Sequence, residues 1–152
     1  MSPTPASSRA DAARGFSAVE LLVAVSITGV LSSIAYPGFS AQIDRSRRAD
    51  GIAALHSVQM AEAQWRANQP AYGSLADIGV AALSPAGRYA LQASGVGGQG
   101  YEILASAQGV QARDVACRHL RLQVSGANEI RASGPDVSVA NADAPNRRCW
   151  GL

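Results

Sequence analysis

The chain has 152 residues, 47% of them hydrophobic and 16% charged, with a formal net charge of +2. That length limits it to one globular domain, and so small a charge argues against a protein held to nucleic acid or membrane by bulk electrostatic attraction. All 13 basic residues are arginine, a bias that reflects GC-rich coding more than a functional demand.

A polar leader, residues 1–15, carries Arg9, Asp11 and Arg14, and an apolar span follows it from Gly15 to Ile43. Leu21 to Ile43 holds no charged residue, and about 20 residues suffice to cross the hydrocarbon core of a bilayer. The span is therefore predicted to be transmembrane. Arg9 and Arg14, partly offset by Asp11, weakly favour a cytoplasmic start and place everything after Ile43 in the periplasm. A secretory signal is cut after its apolar region. Here the order is inverted, since the polar leader ends in Gly15, the apolar run begins at once with Phe16, and Glu20 is the fifth residue of what would remain. A carboxylate inside a lipid-length helix is costly enough to presume a purpose. Gly29 and Pro37 mark a weak stretch of the same helix, because glycine lowers helix propensity and proline removes a backbone donor. A kink and partial melting are the two readings, the kink being favoured for the monomer.

The Gly15-Phe16 junction, Glu20, Gly29 and Pro37 together resemble the amino-terminal region of the type IV pilin family, most closely its minor pilins. That resemblance implies cleavage between Gly15 and Phe16 by a dedicated prepilin peptidase and methylation of the new amine on Phe16. It also implies that Glu20 serves filament assembly, as the buried partner of a neighbouring subunit's amine, because a buried charge requires an opposite one. Without the leader the net charge falls to near +1.

Beyond the span, RSRRADGIAALHSVQMAEAQWRAN is predicted to continue the helix, with Leu55, Val58 and Trp65 on one side and Ala54 and Ala61 between them. Arg45, Arg47 and Arg48 are read as a solvated helix face in preference to a lipid or partner site, although their position opposes the positive-inside tendency. Asn68 and Pro70 close the helix. PAYGSLADIGVAALSPAG then reads as a loop, in which Tyr72, Leu75 and Ile78-Gly79 resemble a segment that tacks down the same loop in minor pilins. Period-two alternation predicts strands around Tyr89–Ala93 and His119–Ser125, with Tyr101–Ala107 after the GVGGQG turn and Glu129–Ser133 after Gly126-Ala127-Asn128. The expected class is α+β. The order resembles the pilin fold, one long helix laid on an antiparallel sheet of about four strands.

Cys117 and Cys149 are the only cysteines, and without CxxC spacing a zinc or redox motif is disfavoured. A disulfide is the simpler account in an oxidising periplasm, and the region it bounds would resemble the family's disulfide-bounded region. No enzyme is expected: His56 and His119 lie on different predicted elements without a nucleophile, and no phosphate-binding loop or zinc-protease motif occurs. No cofactor or metal is expected either, since Asp136 and Asp143 are too sparse to argue for calcium.

The domains so read are a leader at 1–15, a transmembrane and filament-core helix at 16–43, and a periplasmic globular domain at 44–152. The favoured function is a minor pilin, a structural subunit of the pilus in adhesion, twitching motility or pilus biogenesis. Expected partners are other pilin subunits, the prepilin peptidase, the inner-membrane assembly platform, and the membrane before assembly. The alternatives are a type II secretion pseudopilin and a DNA-uptake competence pilin, whose basic patch would draw on Arg118, Arg121, Arg147, Arg148 and Trp150. DNA is the less favoured partner.

Overall fold

The computed structural model describes residues 16–139 and 141–151; the leader, Gly15 included, lies outside the described residues. The chain divides into two compact units, one up to Phe39 and one from Ser40. Helix α1, Ala18–Arg66, contributes to both and runs through Gly29 and Pro37.

In the first unit the start of α1 is capped. Ser17 Oγ accepts the Val19 amide at 3.3 Å while Glu20 Oε2 accepts the Ser17 amide at 3.1 Å, a reciprocal arrangement that satisfies donors the first turn leaves free. Val19, Leu21, Leu22, Val25, Val30 and Ile34 are all exposed, so the helix is apolar without a polar face. Three of its hydroxyls bond to their own helix: Ser26 donates to the Leu22 carbonyl, Thr28 to Ala24 and Ser33 to Val30, at 2.7–2.8 Å. That is what an apolar solvent demands of polar side chains. Among the described residues no single helix is long and apolar enough to cross a membrane, whereas Ala18–Ile34 and Phe39–Arg66 together pass by length and composition.

The second unit is an α+β layer pair. Strands β1 (Tyr89–Ser94), β2 (Gly100–Ala107), β3 (His119–Ser125) and β4 (Asn128–Gly134) form an antiparallel meander in sequence order, with Leu91 opposite Ala105, Ile103 opposite Leu122 and Leu120 opposite Ser133. Two 3-10 turns, Gly109–Arg113 and Val115–Cys117, connect β2 to β3, and helix α2 (Asp143–Trp150) follows β4. Tyr89, Leu91, Tyr101, Ile103, Leu120 and Leu122 share a core with Ala54, Leu55 and Val58 of α1. The predicted face of α1 is thus buried at those three residues, while Ala61 and Trp65 are half-buried. Gly51 permits the close approach: a Cβ there would meet the Tyr89 ring at 2.8 Å, so the ring lies directly on helix backbone.

One member of the arginine cluster departs from expectation. Arg48 is 6% exposed, not solvated. Its Nε and Nη2 donate to the two carboxylate oxygens of Asp114 at 2.5 and 3.3 Å, and Nη1 donates to the Arg148 carbonyl at 2.9 Å. Gln111 Nε2, buried alongside, lies 3.3 Å from the Tyr89 hydroxyl and from the Asp44 carbonyl. Two further acids of α1 hold connections: Asp44 accepts from Arg113 at 3.1 Å, and Asp50 accepts from Ser84 Oγ at 2.6 Å and the Ala86 amide at 3.0 Å. Arg48, Asp44 and Asp50 thus form a row of fasteners for the loops at one end of the sheet, while Arg45 stays exposed as expected.

A second buried charge holds the long loop. Glu62 is fully buried; its Oε2 accepts the Gly73 amide at 3.0 Å while Oε1 has no hydrogen-bond partner among the described residues. Tyr72 packs edge-on to Tyr101 at 4.9 Å under the Arg66 guanidinium, and Ser74 and Asp77 exchange hydrogen bonds across the next turn. With Leu75 and Ile78 packed on the core, the segment is tacked down at both backbone and side chain.

Removing one partner of a buried pair leaves an uncompensated charge, at a cost of about 3–5 kcal/mol, whereas replacing both with apolar groups is often neutral. Urea unfolding of the detergent-solubilised chain should show Asp114→Ala destabilised by that amount and Arg48→Met with Asp114→Leu restored to near wild type. Equal losses in both variants would mean that the pair contributes through something other than charge compensation.

Burial raises the Glu62 carboxyl above its ordinary 4.5, opposed by the Gly73 amide and reinforced by the Asp77 carboxylate. A raised folded value means that the stability tied to this group is complete below the unfolded value and is lost as pH rises through the folded one. Glu62→Gln keeps an acceptor for Gly73 but cannot ionise. Its stability, measured by unfolding from pH 4 upward, should lose the decline that wild type shows above its unfolded value.

Candidate functional site

The disulfide-bounded region is built around one covalent tie. Cys117, in the turn before β3, is joined to Cys149 of α2, with a Cα–Cα distance of 5.4 Å across a separation of 32 residues. Closing a loop of that length stabilises the fold by about 3–4 kcal/mol in the chain-entropy model. The carboxy-terminal CW belongs to a helix. Asp143 lies in the first turn of α2 and Arg147 and Arg148 in the last, and Gly151 ends it at φ 72°, which places charges in keeping with the helix dipole and glycine where a left-handed residue is needed.

Side chains of α2 dock it on β4. Asn146 donates to the Arg131 carbonyl at 2.7 Å and accepts from Ser133 Oγ at 3.0 Å, and Trp150 Nε1 donates to the Ala132 carbonyl at 3.2 Å. Trp150 is only 7% exposed, with the Arg131 guanidinium 5.6 Å from its ring centroid. Its ring therefore has no free face on which a base could stack. Arg118 is also used internally, Nε donating to the Ala112 carbonyl at 3.0 Å. Arg121 donates to the Val139 carbonyl and lies 3.8 Å from Glu102. Of the five residues considered for a nucleic-acid patch, the structure exposes Arg147 and Arg148 and ties the other three into the fold.

Arg147 opens on a cleft of about 490 Å³ between β4 and α2, lined also by Glu129, Arg131, Asn141, Asp143 and Asn146. The lining mixes both signs, so it is not a uniformly positive groove. Glu129 is itself engaged by Gln59 at 2.6 Å and Arg131 at 2.6 Å; partial desolvation would raise its carboxyl, but those partners outweigh it and hold the group below the usual range. Sequence alone did not point to Arg131 or Asn146, since nothing in a strand of alternating residues or a short polar helix marks which of them will meet.

The histidines remain apart. His56 lies near Gln59 on α1, and His119 is 3.0 Å from Ser106 across the sheet, its basicity lowered by burial and by Arg118. Among the described residues no group of three or more His, Cys, Asp or Glu side chains is placed to hold a metal. At the amino terminus Phe16 is 83% exposed, and Glu20 occupies the capping position described above.

The family model described as type IV minor pilin ComP, DNA uptake sequence receptor, matches residues 37–121. No curated protein matches the chain. The matched stretch takes in the second part of α1, the tacked loop and the sheet as far as β3, and stops short of α2.

Proposed function

This chain belongs to the type IV minor pilin family, and on that premise we propose that it is a pilus subunit that contacts DNA during uptake through Arg147 and Arg148. The observation that carries the DNA contact is that both arginines are exposed in the last turn of α2 and make no ion pair among the described residues. The family's description as a DNA uptake sequence receptor supports the same partner, and a net charge near +1 without the leader requires any such binding to be local. A secretion pseudopilin is less well supported, because the family matched is one of pilus subunits.

The proposed life cycle follows the resemblance of the amino terminus. Residues 1–15 are removed after Gly15, Phe16 is methylated, residues 16–43 anchor the subunit in the inner membrane with residues 44–152 in the periplasm, and the apolar helix then joins the filament core. Glu20 has two successive roles. In the lone subunit it caps its own helix through the Ser17 amide; in the filament it pairs with a neighbour's Phe16 amine and sets register. Gly29 and Pro37 supply whatever bending assembly requires.

Glu20→Ala should leave membrane insertion and cleavage intact and reduce recovery in sheared filaments, with intact mass showing a chain that begins at Phe16. Equal recovery of variant and wild type would remove the register role, and retention of residues 1–15 beside an active peptidase would remove the maturation scheme.

The DNA contact is tested by titrating the full chain in detergent with duplex DNA at low and physiological salt. Binding should be weak and salt-sensitive, and Arg147→Ala with Arg148→Ala should flatten the salt slope by about 2, one unit for each phosphate no longer neutralised. An unchanged slope in the double variant would overturn the assignment.

A further inference from the structure

The end of the second unit at which the chain arrives from its apolar stretch combines free arginines with exposed valines. The 3-10 turns between β2 and β3 present Val110 at 62% and Val115 at 51% exposure. Beside Val110, Arg47 of α1 and Arg88 before β1 line a cleft of about 310 Å³. Arg113 reaches Asp44 with its side chain half exposed, and Arg148 sits over Arg48 through its carbonyl. The carboxylates of this end, on Asp44, Asp50 and Asp114, are all engaged in the fastening network. Among the described residues Arg45, Arg47, Arg88 and Arg148 make no ion pair.

Exposed valines alone would be ordinary surface, and unpaired arginines alone a solvated rim. Together they match a bilayer interface, where short apolar side chains enter the headgroup boundary and guanidinium groups pair with lipid phosphates. Continuity of the chain selects the same occupant, since Arg45 follows the uncharged run ending at Ile43 by two residues. Arginines just outside the membrane also oppose the positive-inside tendency, and anionic headgroups on that side give them a counter-charge.

We propose that, before assembly, the turn end formed by Arg47, Arg88, Val110 and Val115 docks on the anionic headgroups of the bilayer that holds the apolar helix. This rests on the membrane-anchored reading above. Docking holds the lone subunit against the membrane, and extraction into a filament exposes the same surface.

The test uses the full chain in phosphatidylcholine nanodiscs with and without phosphatidylglycerol, read by hydrogen exchange. Amides of residues 109–117 should exchange more slowly with the anionic lipid, and high salt should abolish the difference. Each arginine near such a surface is worth about fivefold, so Arg47→Gln with Arg88→Gln should weaken docking about 30-fold, while Arg66→Gln, at the other end of the sheet, should not. Exchange at residues 54–62 reports in the same spectra that each variant is folded. Equal exchange in both discs, or slowing by duplex DNA and not by lipid, would overturn the proposal. A chain that stays with neither disc would overturn the anchored reading and this proposal with it.

Discussion

The fold depends most on the buried pairing of Arg48 with Asp114. A guanidinium taken out of water needs its donors met, and its planar fork meets them in fixed directions: two toward one carboxylate, one toward the carbonyl of Arg148. Those partners belong to the β2–β3 connection and to α2. One side chain of α1 therefore sets where both elements sit. A lysine could supply the charge but not the fork. The disulfide between Cys117 and Cys149 joins the same two elements covalently, so the tie and the ion pair constrain one another.

The two units differ in where their apolar side chains lie. In the first, apolar side chains are exposed along the helix while the Ser26, Thr28 and Ser33 hydroxyls bond to their own helix, an arrangement compatible with an apolar surrounding. In the second, apolar side chains meet between helix and sheet, and charges hold the loops. Glu20 belongs to the first pattern. Its capping bond to Ser17 satisfies a backbone donor that the first turn leaves free.

Surface chemistry is what the internal network leaves over. Asp44, Asp50 and Asp114 are consumed in fastening α1 to the loops around the sheet, so a chain of nearly balanced charge still shows free arginines at one end. Trp150 follows the reverse course. An aromatic near the terminus invites a stacking role, yet its indole is spent on the Ala132 carbonyl and on the core. Both outcomes follow from the rule that buried polar groups take the nearest complement, and both remove or create a binding residue without any change in composition.

The amino-acid sequence by itself determined the parts whose signal is local. Alternation in HLRLQVS and the turns at GVGGQG and Gly126-Ala127-Asn128 located the strands, because side chains of a half-buried strand must alternate between core and solvent. Helix periodicity located Ala54, Leu55 and Val58, and a lone pair of cysteines without CxxC spacing located the disulfide. Only the tertiary structure decided which charges go inside. Arg48 meets Asp114 across 66 residues and the Arg148 carbonyl across 100, and nothing near Arg48 in the chain distinguishes it from Arg45 or Arg47. Glu62 is in the same position, buried because Gly73 arrives with a free amide. Periodicity records the solvent a residue faces, whereas a buried charge depends on a partner that long-range folding brings to it.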